Sequence, residues 1–281
     1  MRLLSHRVDG GHAAAVRTEA GVFDAGELLR GGATTVRELL AADRLGALTA
    51  AAAEPAIDPI DARSLEPLPP VPDPEKIVCI GLNYRSHAAE AGIEPPETPT
   101  IFAKYRNALA APGAEVALPA ASEKVDYEAE VAFVVGRRCA NVDASQGLDF
   151  VAGYTLLNDL SARDLQFATP QWMPGKVFDG SAPCGPELVT ADEAGAPDAI
   201  SFELALNGET MQSASTSDLV FGVADLVAHL SRLMTLEPGD LVATGTPAGV
   251  GSVREPRVWL RSGDEIAISS PTLGRLETRI V

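Results

Sequence analysis

Three carboxylates in two apolar segments could hold a metal ion. Glu128 and Glu130 alternate with apolar residues in VDYEAEVAFVVG, so a strand here would place both on one face, together with Asp126. Asp159 ends a second apolar run, VAGYTLLND. Carboxylates gathered in one cleft cannot all stay ionised without a cation, and an all-oxygen ligand set favours Mg²⁺ or Mn²⁺ over zinc. The alternative for Glu128 and Glu130 is an ordinary exposed strand face.

A histidine and a glutamate lie three residues apart in GLNYRSHAAEAG. The pattern predicts one or two helical turns stopped by Gly92, on which the side chains of His87 and Glu90 meet. A carboxylate that holds one imidazole nitrogen leaves the other free to act as a base toward water. The alternative is an exposed surface pair, and the spacing is not the HExxH of metalloproteases.

Two further segments place polar side chains beside glycine-rich turns. Lys176 follows a Pro-Gly turn in MPGKVFDG, where its ammonium group faces either an anionic substrate or solvent. Thr244 and Thr246 lie in LVATGTPAGVG, whose glycine spacing matches neither GxGxxG nor a P-loop. We therefore expect a turn that approaches a small ligand closely, and no nucleotide-binding fold.

Composition excludes several classes of partner. The 281 residues carry 39 acidic and 22 basic side chains, a formal charge of −17, which disfavours binding to nucleic acid or to anionic membranes. The three cysteines share no CxxC spacing, so we expect reduced thiols rather than a disulfide framework. With no apolar signal region or 18-residue apolar run, we expect a cytoplasmic protein.

A proline-rich segment divides the chain. Its five prolines exclude a helix or central strand, so we interpret residues 67–75 as a linker. Residues 1–66 then form a small α+β accessory domain with a helix over 35–52. Residues 76–281 form a mostly β domain with one strong helix after residue 222, for which Thr216, Ser217 and Asp218 are cap candidates. Its predicted strands cover residues 77–82, 129–135, 151–157, 202–206, 240–244 and 265–269.

Taken in order, GLNYRSHAAEAG, YEAE, NDLSARDLQ, GKVFDGSAPCGP and ATGTPAGVG resemble the fumarylacetoacetate hydrolase family, in its bacterial form with a short N-terminal domain. The resemblance implies a mixed β-sandwich roll preceded by a small α+β domain, and a homodimer. It assigns the metal ligands to Glu128, Glu130 and Asp159. It also assigns catalytic roles to His87, Glu90 and Lys176, and substrate binding to Arg163, Gln166, Lys176 and Thr246.

The activity that the resemblance implies is Mg²⁺- or Mn²⁺-dependent hydrolysis of a carbon-carbon bond in an acylpyruvate or related 2-oxo acid, of the fumarylpyruvate or fumarylacetoacetate type. His87 would activate water, and Lys176 with the metal would stabilise an enolate. Two alternatives use the same site: isomerisation of a 2-hydroxyhepta-2,4-diene-1,7-dioate from aromatic catabolism, and decarboxylation of an oxaloacetate-type acid. A third is a catalytically silent binding protein. In each enzymatic case the partner is a small anionic 2-oxo acid.

Overall fold

Short alternating and apolar segments form strands, and the computed structural model describes them over residues 1–32 and 34–281. The strands are β1 Arg2–Val8, β2 Gly11–Thr18, β3 Gly21–Asp24, β4 Pro67–Leu68, β5 Ile77–Gly81, β6 Thr100–Lys104, β7 Leu109–Ala110, β8 Glu115–Val116, β9 Val125–Asp126, β10 Ala129–Val135, β11 Val151–Asn158, β12 Ser161–Ala162, β13 Ala182–Thr190, β14 Ser201–Leu206, β15 Glu209–Ser215, β16 Leu241–Ala243, β17 Glu265–Ser270 and β18 Gly274–Ile280. The helices are α1 Ala25–Leu28, α2 Val36–Ala41, α3 Leu45–Ala53, α4 Arg85–Ala91, α5 Ala144–Gly147, α6 Arg163–Gln166, α7 Ala191–Ala194 and α8 Val223–Leu233.

Two large sheets carry most of these strands. The first has the order β3-β2-β1-β13-β11-β10-β16-β5-β6, with β4 beside β1 and β7 beside β13. The second has the order β15-β14-β17-β18-β8, and β12 pairs separately with β9. The mostly β fold with α+β elements is confirmed.

Strand β10 is buried on both faces because each face packs against a different layer. Val131 and Phe133 join a core that includes Phe202 of β14 and Ile268 of β17 in the second sheet. Ala132 and Val134, on the opposite face of the strand, join a core with Leu39 and Leu48 of the N-terminal helices α2 and α3. One face of the first sheet is therefore covered by the second sheet and the other by helices, which gives the layered arrangement of a sandwich.

The N-terminal strands are continuous with the first sheet. Strand β1 pairs antiparallel with β13, with Leu3 opposite Leu188. Strand β4, at the start of the predicted linker, pairs with β1. The division at residues 66 and 76 stays a prediction, but the sheet hydrogen bonds run across it.

The predicted helices differ from the observed ones at their boundaries. The helix expected over 35–52 is two helices, α2 and α3, because Asp43 between them adopts a left-handed backbone with φ of 52°. The cap candidates for α8 are wrong: Thr216–Asp218 form a separate 3₁₀ turn, and Gly222 precedes the first residue of α8.

The three cysteines are free thiols in buried positions. Cys79 lies in β5 and Cys184 in β13, both within the first sheet, and Cys139 forms an isolated bridge to Leu236. No helix within residues 1–32 and 34–281 combines the length and apolar character that a membrane crossing requires.

A glycine in the first sheet allows two of its strands to approach closely. A Cβ atom on Gly153 of β11 would lie 2.1 Å from the carbonyl oxygen of Val189 in β13. We expect Gly153→Ala to lower the free energy of unfolding by about 2 kcal/mol, because the strands must move apart. Urea unfolding measures this change. Gly11→Ala is the matched control, since its Cβ would meet no atom within 4 Å, and an equal loss in both variants would contradict the prediction.

Candidate active site

The three predicted carboxylate ligands meet in the structure. Strands β10 and β11 are antiparallel, with Ala129 opposite Asn158, so the residues just before β10 and just after β11 are neighbours. The Asn158 side chain accepts a hydrogen bond from the Glu128 N–H at 3.1 Å, which holds these two chain segments together. One oxygen each of Glu128, Glu130 and Asp159 lies within 4.8 Å of the others, and all three side chains are buried.

Two buried lysines contact this triad. Lys176 Nζ lies 2.8 Å from Glu128 Oε2 and 2.8 Å from Asp159 Oδ2. Lys104, at the end of β6, donates to Asp159 Oδ1 at 2.6 Å. Each oxygen of Asp159 therefore has its own ammonium partner, and the carboxylate is held at a fixed angle to Glu128.

A short turn places Lys176 against the triad. A Cβ on Gly175 would lie 2.4 Å from the Ala162 carbonyl oxygen and 2.6 Å from the Gln166 nitrogen, so only glycine permits this contact with α6. The Ser181 hydroxyl donates to the carbonyl of Lys176 at 2.9 Å. The Pro-Gly sequence thus aims the lysine inward, and the interpretation of Lys176 as a solvent-facing side chain is wrong.

Arg163 lies beside the triad on α6. Its Nη1 contacts Glu128 Oε1 at 2.6 Å and donates to Gln166 Oε1 at 3.0 Å. Its Nε donates to Asp126 Oδ2 at 2.9 Å. Asp126 also accepts from the backbone N–H groups of Gly251 and Ser252, at 2.7 and 3.0 Å. Asp126 thereby joins the guanidinium group to a loop on the other side of the site.

The charges of the triad are unevenly compensated. Burial acts to raise the pKa of Glu128, but Lys176 and Arg163 outweigh it and hold that pKa well below its usual range. Burial, Asp159 and Glu128 together raise the pKa of Glu130 well above its usual range. Within the described residues Glu130 has no cationic side chain in contact; the N–H of Gly245 donates to it at 2.8 Å.

The donor set fits a divalent cation. Three buried carboxylates offer only oxygen ligands, as Mg²⁺ and Mn²⁺ prefer. Burial, Asp159 and Glu128 raise the pKa of Glu130, and a cation held by the triad would act in the opposite direction. Glu128, Glu130 and Asp159 are therefore the residues that could hold such an ion.

His87 and Glu90 are adjacent on α4. His87 Nδ1 lies 3.5 Å from Glu90 Oε2, and the Gly249 N–H donates to both oxygens of Glu90 at 3.0 and 3.1 Å. Asn83 anchors the start of this helix because its side chain donates to the carbonyls of Phe221 and Thr244. Glu90 thus engages Nδ1 and leaves Nε2 of His87 free to transfer a proton.

A single cavity of about 500 Å³ joins these groups. Its lining includes seven of the nine predicted site residues: His87, Glu128, Glu130, Arg163, Gln166, Lys176 and Thr246. The other two, Asp159 and Glu90, contact the lining residues Lys176 and His87. The hydroxyl of Thr246 donates to the Ala129 carbonyl and accepts from Gln212, so its donor is already used within the protein.

Lys104 and Asp126 are site residues to which sequence reasoning gave no role. Lys104 ends an apolar strand in TIFAK, a pattern shared with any lysine at a strand edge, and the sequence does not show that it is buried. Asp126 shares the face predicted for Glu128 and Glu130. Strand parity placed Asp126 on that face, but no local pattern indicated its contact with Arg163.

We expect Asp126→Asn to raise KM for an anionic substrate about tenfold, because Arg163 loses one of the two carboxylates that orient it. The change in kcat should be smaller, since Asp126 does not line the cavity. Steady-state kinetics separates the two constants. Asp143→Asn is the control, an exposed aspartate without a side-chain cap bond. A fall in kcat with KM unchanged would contradict this role.

Comparisons with known proteins identify the family. Residues 76–281 match the family model described as fumarylacetoacetate (FAA) hydrolase C-terminal. The human mitochondrial oxaloacetate tautomerase FAHD2A is 41% identical over 216 residues, which are 76% of this chain and 69% of that protein.

Solved structures of other proteins resemble this one over the whole chain. The HpcE-type protein of Mycobacterium smegmatis has a TM-score of 0.91 at 37% identity, covering 100% of this chain and 99% of that one. The 2-hydroxyhepta-2,4-diene-1,7-dioate isomerase of Mycobacterium marinum has a TM-score of 0.79 at 31% identity, covering 100% and 98%. Members of this family are enzymes that act as hydrolases, isomerases or tautomerases. The chain belongs to the fumarylacetoacetate hydrolase family.

Proposed function

We propose that the protein is a divalent-metal-dependent isomerase that interconverts the enol and keto forms of a small anionic 2-oxo acid. The observation that carries this proposal is that His87, in contact with Glu90, lines the same cavity as Glu128, Glu130 and Lys176. Tautomerisation requires a proton carrier and a means of stabilising negative charge, and this cavity offers both. The similarity to an oxaloacetate tautomerase supports the same reaction.

The position of each side chain in the cavity indicates its role in the proposed reaction. Arg163, Gln166 and Lys176 are buried where they line the cavity, and we call this buried part its floor. Arg163 and Gln166 would bind the substrate carboxylate there. Burial opposes a charge on Lys176, but Asp159 and Glu128 outweigh it and raise its pKa, so Lys176 stays an ammonium ion. It would therefore stabilise negative charge on the 2-oxo oxygen and not act as a base.

His87 would carry the proton. In the enol-to-keto direction, the enol O–H loses its proton and C3 of the substrate gains one, with His87 Nε2 as the carrier. Glu90 keeps Nδ1 engaged throughout. Mg²⁺ or Mn²⁺, held by Glu128, Glu130 and Asp159, would supply positive charge that polarises the 2-oxo group.

Hydrolysis of a carbon-carbon bond in an acylpyruvate is the second candidate. The volume of the cavity favours it, because about 500 Å³ leaves room for an acyl group and a water beyond a four-carbon acid. His87 would then deprotonate the water that attacks the distal carbonyl. Decarboxylation of an oxaloacetate-type acid needs no water and would use the same cations.

Product identity separates these reactions. The protein is supplied with Mg²⁺ and, in separate assays, with enol oxaloacetate, acetylpyruvate, fumarylpyruvate and a 2-hydroxy-dienedioate. Isomerisation removes the enol absorbance and conserves every carbon, hydrolysis releases pyruvate and a carboxylic acid, and decarboxylation releases CO₂. Protein stripped of metal by a chelator is the control. If none of the four compounds reacts faster than in that control, the proposal is wrong.

The homodimer implied by the resemblance is likewise a proposal. Sedimentation of the full chain measures it directly, and a single species with the 29.3 kDa mass of one chain would contradict it.

A further inference from the structure

Aromatic side chains form one wall of the active-site cavity and begin at the catalytic lysine. Lys176 Nζ lies 4.9 Å from the centre of the Phe102 ring. Trp172 packs edge-on against Phe102, with ring centres 5.7 Å apart. The backbone of Gly81 allows this position, because a Cβ there would lie 2.3 Å from Trp172 Cζ3. The wall therefore leads from the floor, where the 2-oxo group would bind, toward the mouth.

The mouth of the same cavity is lined by exposed apolar side chains. Ile93, Phe167 and Val253 are 49%, 67% and 40% exposed, and all three line the cavity. Trp259 lines it too, so both tryptophans of the chain are there. Apolar surface gathered around an opening, and continuous with a polar floor, is typical of a site that binds a ligand with one charged and one apolar end.

The charged groups at the mouth are hydrated. Lys124, Asp164 and Arg257 line the opening and are exposed or half-exposed. Lys124 and Arg257 form no ion pair within the described residues. Long, solvated cations at an opening attract an anion from a distance, which suits the single carboxylate that Arg163 would bind on the floor.

From this arrangement we propose that the substrate is a 2-oxo acid whose distal arm is flat and apolar, best of all aromatic, and not a second carboxylate. The arm would lie along Phe102 and Trp172 and cover part of the exposed apolar rim. A carboxylate in that place would lose hydration against the phenyl ring of Phe102 and the indole ring of Trp172. Lys176, the buried cation beside Phe102, is already paired with Glu128 and Asp159. The inference rests on the proposed function, because it takes the 2-oxo acid end as bound at the floor.

Fluorescence of the two tryptophans gives a binding test that does not require turnover. Protein loaded with Mg²⁺ is titrated with pyruvate, phenylpyruvate and oxaloacetate, with the inner-filter effect of phenylpyruvate corrected against free tryptophan. Isothermal titration calorimetry of the same ligands provides a second readout. We expect phenylpyruvate to bind about tenfold or more tightly than pyruvate, because its ring is removed from water on Phe102 and Trp172.

Two variants locate the effect. Trp172→Ala is expected to reduce the ratio of pyruvate to phenylpyruvate dissociation constants to below about three, since most of the wall is removed. Gly81→Ala should reduce the same ratio by displacing the indole ring while keeping it in the protein. The control is Leu233→Ala, which truncates an apolar side chain of α8 that is 59% exposed and lies away from the cavity, and it should keep the wild-type ratio.

The outcomes separate this inference from the proposed function. The proposal of an apolar arm would be overturned if pyruvate and phenylpyruvate bound equally well, or if oxaloacetate bound more tightly than phenylpyruvate. Either result would leave the 2-oxo acid site in place. If none of the three acids binds, the proposed function itself fails. A ratio retained in both Trp172→Ala and Gly81→Ala would show that the preference does not arise at this wall, and would overturn the assignment.

Discussion

Replacing Glu130 with glutamine is expected to abolish the binding of Mg²⁺ while leaving the metal-free protein at least as stable as the wild type. Three factors raise the pKa of Glu130 in the folded protein: its burial, and the carboxylates of Asp159 and Glu128. A carboxyl group whose pKa is higher in the folded state than in the unfolded state destabilises the protein as the pH rises from the unfolded pKa to the folded pKa. Glutamine removes that penalty, and its amide oxygen can still accept from the Gly245 N–H.

Glu128→Gln is the matched variant and should behave differently. Burial raises the pKa of Glu128, but Lys176 and Arg163 outweigh it and lower the pKa, so its ionised form stabilises the folded state above the unfolded pKa. Glutamine leaves these two cations undercompensated. We expect the metal-free variant to lose about 3 kcal/mol, the usual cost of breaking a buried ion pair, and also to lose metal binding.

Thermal unfolding with and without Mg²⁺ measures both effects in one experiment. The wild type should gain stability on adding Mg²⁺, because the ion binds the folded state. Neither variant should show that gain. Metal-free Glu130→Gln should unfold at or above the wild-type temperature, and Glu128→Gln well below it. Mg²⁺-dependent stabilisation of Glu130→Gln equal to that of the wild type would contradict the assignment of the triad.

The raised pKa of Glu130 also predicts how metal binding depends on pH. A proton and a cation compete for the same carboxylate oxygens, and a raised pKa means that the carboxylate holds its proton more tightly. Mg²⁺ affinity should therefore increase as the pH rises toward the folded pKa of Glu130. Calorimetry in two buffers of different ionisation enthalpy would detect the released proton, and affinity that does not change with pH would contradict this mechanism.

His87→Asn is expected to lower kcat by about 10² to 10⁴, the usual contribution of a positioned acid or base. Asparagine keeps a polar group at the level of Nδ1 but has no atom in the place of Nε2 and cannot carry a proton. Mg²⁺ binding should survive, because His87 is not one of the residues that could hold the ion. Glu90→Gln should produce a smaller loss, since the imidazole remains but its orientation is less fixed.

Rate measurements on the substrate that proves active, paired with a Mg²⁺ titration of each variant, test this division of roles. His229→Asn is the control, a half-buried histidine of α8 that lies outside the cavity. If His87→Asn keeps the wild-type kcat, the proton must travel by another route and the dyad has no catalytic role.

Six strands after residue 76 could be predicted from the sequence because each has a short local pattern, whereas β6, β13, β15 and β18 were not predicted. The predicted strands at residues 129–135 and 265–269 match β10 and β17 to within one residue. Helix boundaries were less predictable. Asp43 interrupts the apolar spacing of residues 35–52 with a left-handed backbone, which aspartate tolerates but rarely adopts.

The candidate site was predictable where a local rule applied. Strand parity singled out Glu128 and Glu130, and helical spacing singled out His87 and Glu90. The pairing of Lys104 with Asp159 joins residues 55 positions apart, through the order of strands in a sheet. No local pattern encodes that order, so a buried lysine and a surface lysine look alike in the sequence.

The three buried cysteines allow local opening of the protein to be measured without a label. Burial raises the pKa of Cys184 to about 12 and also raises the pKa of Cys79 and Cys139, so alkylating reagents find neither access nor thiolate. Each thiol can react only when its surroundings open. The rate at which each cysteine is modified therefore reports how often its own surroundings open. Cys79, whose pKa is raised by burial and then by Asp159, reports on strand β5 near the triad.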